Sequence, residues 1–141
     1  MKKRLDPDSF DFPVEKIEKG FYSDIYFLRT QAILEQADMA PHVTVQIFQR
    51  DYAMLCGIDE VIALIKKCSR NPKKLKIMAL HDGDKVAPWE TVMTIEGNLA
   101  DFIHLETVYL GILARRTKIA TNCSRAVEAA NGKPVLFFPS R

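Results

Sequence analysis

Apolar positions along the chain change period several times, and each change marks an element. Between Ser23 and Gln36, the residues Ile25, Leu28, Ala32 and Ile33 recur at helical spacing. Ser23 stands where it can cap the first turn and Asp24 suits the positive end, so the spacing predicts a helix over 23–36. From His42 to Gln49, Val43, Val45 and Ile47 alternate with Thr44, Gln46 and Phe48, which predicts a strand. Ile58, Val61, Ile62 and Ile65 form one stripe with Lys66 and Lys67 at its end, predicting a second helix over 57–67 that Ser69-Arg70-Asn71-Pro72 stops. Residues 75–80 and 90–95 read as strands on either side of the His81-Asp82-Gly83-Asp84 turn, with 86–89 as a short bridge that changes direction.

The longest helical pattern covers 99–130, with Phe102, Leu105, Tyr109, Ile112 and Leu113 on one face. Thirty residues of helix would extend about 45 Å, so a break is expected at 116–118. Asn131-Gly132-Lys133-Pro134 ends the pattern, and Val135, Leu136, Phe137 and Phe138 read as the start of a buried strand. Ahead of the first helix, Asp6, Pro7, Asp8 and Pro13 predict an extended arm lying on another part of the molecule.

Composition adds limits. With 141 residues, 48% hydrophobic and 27% charged, the chain matches an ordinary globular domain with one core. No apolar run approaches the roughly 20 residues of a membrane helix, and the basic start has no apolar stretch behind it, so a cytoplasmic protein is expected. Twenty basic against eighteen acidic residues give +2, too little for nucleic acid or a membrane to be attracted by field alone. Lys66, Lys67, Arg70, Lys73, Lys74 and Lys76 cluster without interleaved aromatics and read as a solvated face. Cys56, Cys68 and Cys123 form no CxxC pair and read as small buried hydrophobes. His42, His81 and His104 lack zinc-ligand spacing, so no metal site is expected in this chain.

Three stretches carry a resemblance. Gly20-Phe21-Tyr22-Ser23-Asp24-Ile25-Tyr26 resembles the Asp-x-Tyr opening of the nicotinate phosphoribosyltransferases. Asp82-Gly83-Asp84-x-Val86 with Met93-x-Ile95-x-Gly97 is similar to their hammerhead segment. Leu105-Glu106-Thr107-x-x-Leu110-Gly111, followed by Ile119-Ala120-Thr121-Asn122-x-x-Arg125, resembles their Glu-Thr helix and Ala-Thr-Asn-x-x-Arg segment. The hammerhead rhythm also resembles biotinyl and lipoyl carriers. Those carry a lysine at the hairpin tip, whereas no lysine stands around Met93 and Lys85 falls in the wrong turn.

The resemblance implies an α+β fold, a hammerhead-like N-terminal domain over 1–134 with an antiparallel sheet and flanking helices. It makes 135–141 the first strand of a C-terminal α/β barrel otherwise absent from this chain. It implies an enzyme that joins nicotinate to phosphoribosyl pyrophosphate in NAD biosynthesis, giving nicotinate mononucleotide and pyrophosphate, with this portion alone inactive. Quinolinate or nicotinamide phosphoribosyltransferase and a non-enzymatic hammerhead binding module are the alternatives. Mg²⁺ is the implied cofactor of the full enzyme, some members couple the reaction to ATP hydrolysis, and the implied assembly is a homodimer with active sites shared between subunits.

The resemblance places Tyr26 against the nicotinate ring, with Asp24 one step before it, where the residues alone suggest an ordinary interfacial tyrosine. It places Arg141 on the substrate's carboxylate or phosphate, and it makes Arg125 either a substrate contact or a helix-packing residue. No catalytic residue is assigned. Thr121 reads as structural, Arg115 and Arg116 as surface or dimer contacts, and Asp82 and Asp84 as turn residues in preference to Mg²⁺ ligands. The related quinolinate enzymes typically carry arginine directly after the helix glutamate to hold their extra carboxylate. Here Thr107 follows Glu106, which favours a monocarboxylate.

Overall fold

The computed structural model describes residues 3–138. In chain order they form α1 (Val14–Glu18), α2 (Ile25–Gln36), β1 (His42–Phe48), β2 (Ala53–Met54), α3 (Ile58–Cys68), β3 (Lys76–Ala79), β4 (Lys85–Val86), β5 (Thr91–Asn98) and α4 (Glu106–Ala129). Single 3-10 turns lie at Pro7–Ser9, Pro72–Lys74, Leu99–Asp101 and Ile103–Leu105.

The alternation read in β1 sets the register of the sheet. β5 is the central strand, antiparallel to β1 on one side and to β3 on the other. Val45 and Ile77 both pair with Ile95, and Ile47 and Ala79 with Met93, so apolar residues from three strands share one face. The register slips between Ile47 and Phe48, and Phe48 faces outward in the same alternation as Thr44 and Gln46. β2 and β4 form a separate two-stranded ladder, pairing Ala53 with Val86. The stripe of α3 fills the space beside the sheet: Ile58, Val61, Leu64 and Ile65 are wholly inaccessible and share one core with Met93, Ile95, Phe102, Leu105, Tyr109 and Leu113.

Mixed helix and antiparallel sheet is the architecture expected. The arm does lie on the body of the molecule, because Arg4 bonds the buried Asp59 carboxylate at 2.9 Å and the Ala79 and Leu80 carbonyls at 2.7 Å each. The basic stretch is less solvated than expected. Lys67 bonds the Phe10 carbonyl and pairs with Asp8, Arg70 pairs with Glu35, and Lys76 pairs with Glu96.

Other expectations need correction. Ser23 does not cap α2; Asp24 is the preceding residue, and the Ser23 hydroxyl donates to the His104 carbonyl instead. α4 has no break at 116–118 and runs through 24 residues, about 36 Å. The interruption lies upstream, in the two turns over 99–105. There the carbonyls of Ala100, Asp101 and His104 accept from Gln31, the Arg70 backbone and Ser23, so other elements capture acceptors that a continuous helix would use internally. Of the cysteines only Cys68 is buried; Cys56 is half-buried and Cys123 is exposed. Residues 135–138 belong to no strand, and Leu136, Phe137 and Phe138 are 88%, 87% and 95% exposed.

Candidate functional site

Two of the stretches singled out in the sequence meet at the junction of α2 and α4. The Asp24 backbone N–H donates to the Thr107 hydroxyl at 3.1 Å, and that hydroxyl donates to the Asp24 carboxylate at 3.1 Å. With Ser23 bonded to the His104 carbonyl next door, the Gly20–Tyr26 segment is tied to the start of α4 by side chains more than 80 residues away in sequence.

Tyr26 stands on the first turn of α2, 57% exposed, with its ring 4.1 Å from that of Phe27. Local desolvation, then the neighbouring Asp24 and Glu106 carboxylates, hold its phenol above the ordinary tyrosine value. The ring therefore stays neutral at physiological pH. Burial alone raises the Glu106 carboxyl. An exposed neutral ring with two carboxyl groups at its base can stack on a flat ligand, and position 107 presents a hydroxyl rather than a cation.

Beside Thr107 a cleft of about 490 Å³ is lined by Tyr22, Glu60, Gly111, Arg115 and Arg116, among others. Arg116 is held by Glu60 through two hydrogen bonds of 2.7 and 3.0 Å, which leaves it little to offer a ligand. Arg115 has no carboxylate partner among the described residues. Nothing in the sequence distinguishes the two arginines; the packing of Glu60 on α3 against α4 separates them. Gly57 permits that packing, with a φ of +101° and the Arg116 Cβ only 3.1 Å from where its own Cβ would stand.

Arg125 is elsewhere. It lies on α4 eighteen residues beyond Thr107, about 27 Å along the axis, so one small ring cannot touch both. Arg141 lies outside the described residues. Thr121 has the structural role expected: its hydroxyl accepts from the Met54 backbone at 3.0 Å and donates to the Thr117 carbonyl at 2.7 Å. One turn earlier, Thr117 takes the Cys56 N–H at 3.2 Å and gives its hydroxyl to the Cys56 carbonyl at 3.1 Å, so two threonines stand in for a strand beside β2. Asp82 receives the Ile58 and Asp59 N–H groups, acting as the cap of α3 from another loop, while Asp84 accepts from His81. No group of three or more metal-ligating residues occurs among the described residues. None of their helices is long and apolar enough to cross a membrane.

Comparison with known proteins extends this picture. The family model described as the quinolinate phosphoribosyl transferase N-terminal domain matches residues 24–117. Nicotinate phosphoribosyltransferase pncB1 of Mycobacterium tuberculosis is 35% identical over 60 residues, which are 43% of this chain and 13% of that protein. Nicotinate-nucleotide pyrophosphorylase from Pyrococcus furiosus shares the fold at a TM-score of 0.76 and 31% identity, over 94% of this chain and 33% of its own. Human nicotinic acid phosphoribosyltransferase gives a TM-score of 0.70 at 16% identity over 82% of this chain and 30% of its own, a likeness of fold alone. This chain thus spans about an eighth of the curated relative and a third of the solved structures it matches.

Proposed function

Because the chain belongs to the quinolinate phosphoribosyltransferase N-terminal domain family, we propose that it supplies the ring-binding side of a pyridine phosphoribosyltransferase of NAD biosynthesis. It works with a barrel domain that binds phosphoribosyl pyrophosphate, and the acceptor is nicotinate. In this reaction the bond from the anomeric carbon to pyrophosphate breaks as the bond to the pyridine nitrogen forms. Positive charge gathers on the ribose and negative charge on the leaving group, so holding the acceptor in line matters more than a side-chain nucleophile. Tyr26 is the ring's wall, and Asp24 fixes the start of α2 by its exchange with Thr107. Arg141 takes the carboxylate or a phosphate. Mg²⁺ in the full enzyme would screen the pyrophosphate, and coupling to ATP belongs to this proposal as an option of the family.

The observation that carries the preference for nicotinate is the Asp24–Thr107 pair. The position that would present a guanidinium to a dicarboxylate holds a hydroxyl already engaged by a carboxylate. Quinolinate is the second reading, favoured by the matching family description. The test is a product assay on the barrel-containing protein with nicotinate, quinolinate and nicotinamide offered separately. Nicotinate mononucleotide should form from nicotinate, and Thr107→Arg should weaken that preference. Turnover of quinolinate alone by the unaltered protein overturns the nicotinate assignment, and no turnover of any of the three overturns the enzyme reading.

A further inference from the structure

On the side of α4 that faces β2, a cleft of about 650 Å³ is lined by Phe48, Arg50, Asp51, Tyr52, Lys118 and Arg125 together with the two clamping threonines. Arg50, Lys118 and Arg125 have no hydrogen bond or ion pair to a carboxylate among the described residues. Asp51 is the one acid in the lining, so the lining carries a formal charge of about +2, with Glu128 close enough to feel Arg125. A smaller cavity adjoins it, sharing Tyr52, Ala53, Thr121 and Arg125, and there the acid Glu128 is already matched by Lys85 at 3.0 Å. Tyr52 lines both spaces and is 72% exposed, with Arg125 and Thr121 common to the two. Phe48, on the outward face of β1, also lines the cleft, with its ring 5.4 Å from that of Trp89.

We propose that this cleft, built from Arg50, Lys118, Arg125 and Tyr52, is a binding site for a phosphorylated nucleoside, with phosphates on the cations and the base on the tyrosine ring. A volume of this size suits a ligand of that class. Guanidinium groups grip phosphate oxygens in pairs, and an exposed ring stacks on a base of any sequence. Its lining on α4 runs from Ala114 to Arg125, about 10 to 27 Å along the axis from Thr107, while Phe48 and Arg50 also border a neighbouring cavity with Glu106. The inference does not use the ring-binding role proposed for Tyr26.

Trp89 is the single tryptophan and touches the ring of Phe48, so its emission reports on this wall. Titration of the 141-residue chain with ADP, inorganic pyrophosphate and adenosine, followed by tryptophan fluorescence and by calorimetry, separates the contributions. Saturable ADP binding at least tenfold tighter than either pyrophosphate or adenosine is expected. Arg50→Ala and Lys118→Ala should each weaken ADP at least fivefold, Tyr52→Ala should bring ADP down to the pyrophosphate affinity, and Lys19→Ala, remote on α1's end, should change nothing. The absence of saturable ADP binding overturns the proposal, and so does ADP binding equal to that of pyrophosphate or unaltered by Arg50→Ala with Lys118→Ala combined. Melting of each variant by circular dichroism identifies any that fails to fold, and Arg50→Gln with Lys118→Gln then replaces it.

Discussion

The two halves of α4 share one unbroken backbone and little else. From Glu106 to Thr117 the helix buries Tyr109, Leu113 and Thr117 against the core, whereas beyond Thr117 no residue of it is fully buried. The second half is held by the Thr121 bond to Met54 and an exposed Lys85–Glu128 pair. Continuity of a helix is thus a local property, while its anchorage is a tertiary one; α4 keeps its form past the point where the core ends. The first half also carries the contacts to α2 beside Tyr26, and the second carries Lys118 and Arg125, which line the cleft beside β2.

The difference is broken most severely from the buried side. Tyr109→Ala removes a 1% exposed ring from the core and should cost about 3–5 kcal/mol in urea unfolding, while Val127→Ala, 58% exposed, should stay within about 0.5 kcal/mol. Equal effects would mean that the two halves are not anchored differently. Thr117→Val strips both bonds from the Cys56 backbone and should cost about 1–3 kcal/mol; Thr121→Val, at a half-buried site, should cost about 1 kcal/mol or less. A reversed order in thermal melts would place the anchor further along the helix than the packing indicates.

A smaller effect concerns His104, in the turn that leads into α4. Burial, with the Arg70 charge adding to it, holds its imidazole below the usual value, against the raising effect of its bond to the Cys68 carbonyl. The neutral ring donates from Nε2 to that carbonyl and accepts at Nδ1 from Gln31. A depressed folded value means that the unfolded chain binds the proton more readily. The stabilisation is present above about pH 6.5, the unfolded value, and is lost as pH falls through the lower folded one. Unfolding midpoints should decline from pH 7.5 to 5, and His104→Gln should flatten that slope. An unchanged slope would assign the pH response to other groups.

Much of the scaffold was legible because burial imposes a period. The stripe from Ile58 to Ile65 and the alternation from Val43 to Ile47 point at the core that both elements build. Where long-range bonds decide, periodicity is silent. α1, β2 and β4 have five, two and two residues and exist through packing and through the clamp of Thr117 and Thr121. The helical pattern over 99–105 was real in spacing, yet Gln31, Arg70 and Ser23 take its carbonyls. At the candidate site, Tyr26, Asp24 and Thr107 could be picked out as residues, but their meeting could not. Arg50 and Lys118 gave no signal, since a lone basic residue on a turn or a helix is ordinary until the fold sets it beside another.

The central claim is that Tyr26 is the wall for the acceptor ring, and KM for nicotinate in the barrel-containing protein tests it most directly. Loss of a stacking contact of about 1.4 kcal/mol predicts a KM about tenfold higher for Tyr26→Ala, with kcat within about twofold and the melting temperature unchanged. A Tyr26→Phe variant should retain the original KM. An unaltered KM in a folded Tyr26→Ala protein would remove the residue from the substrate site and contradict the account.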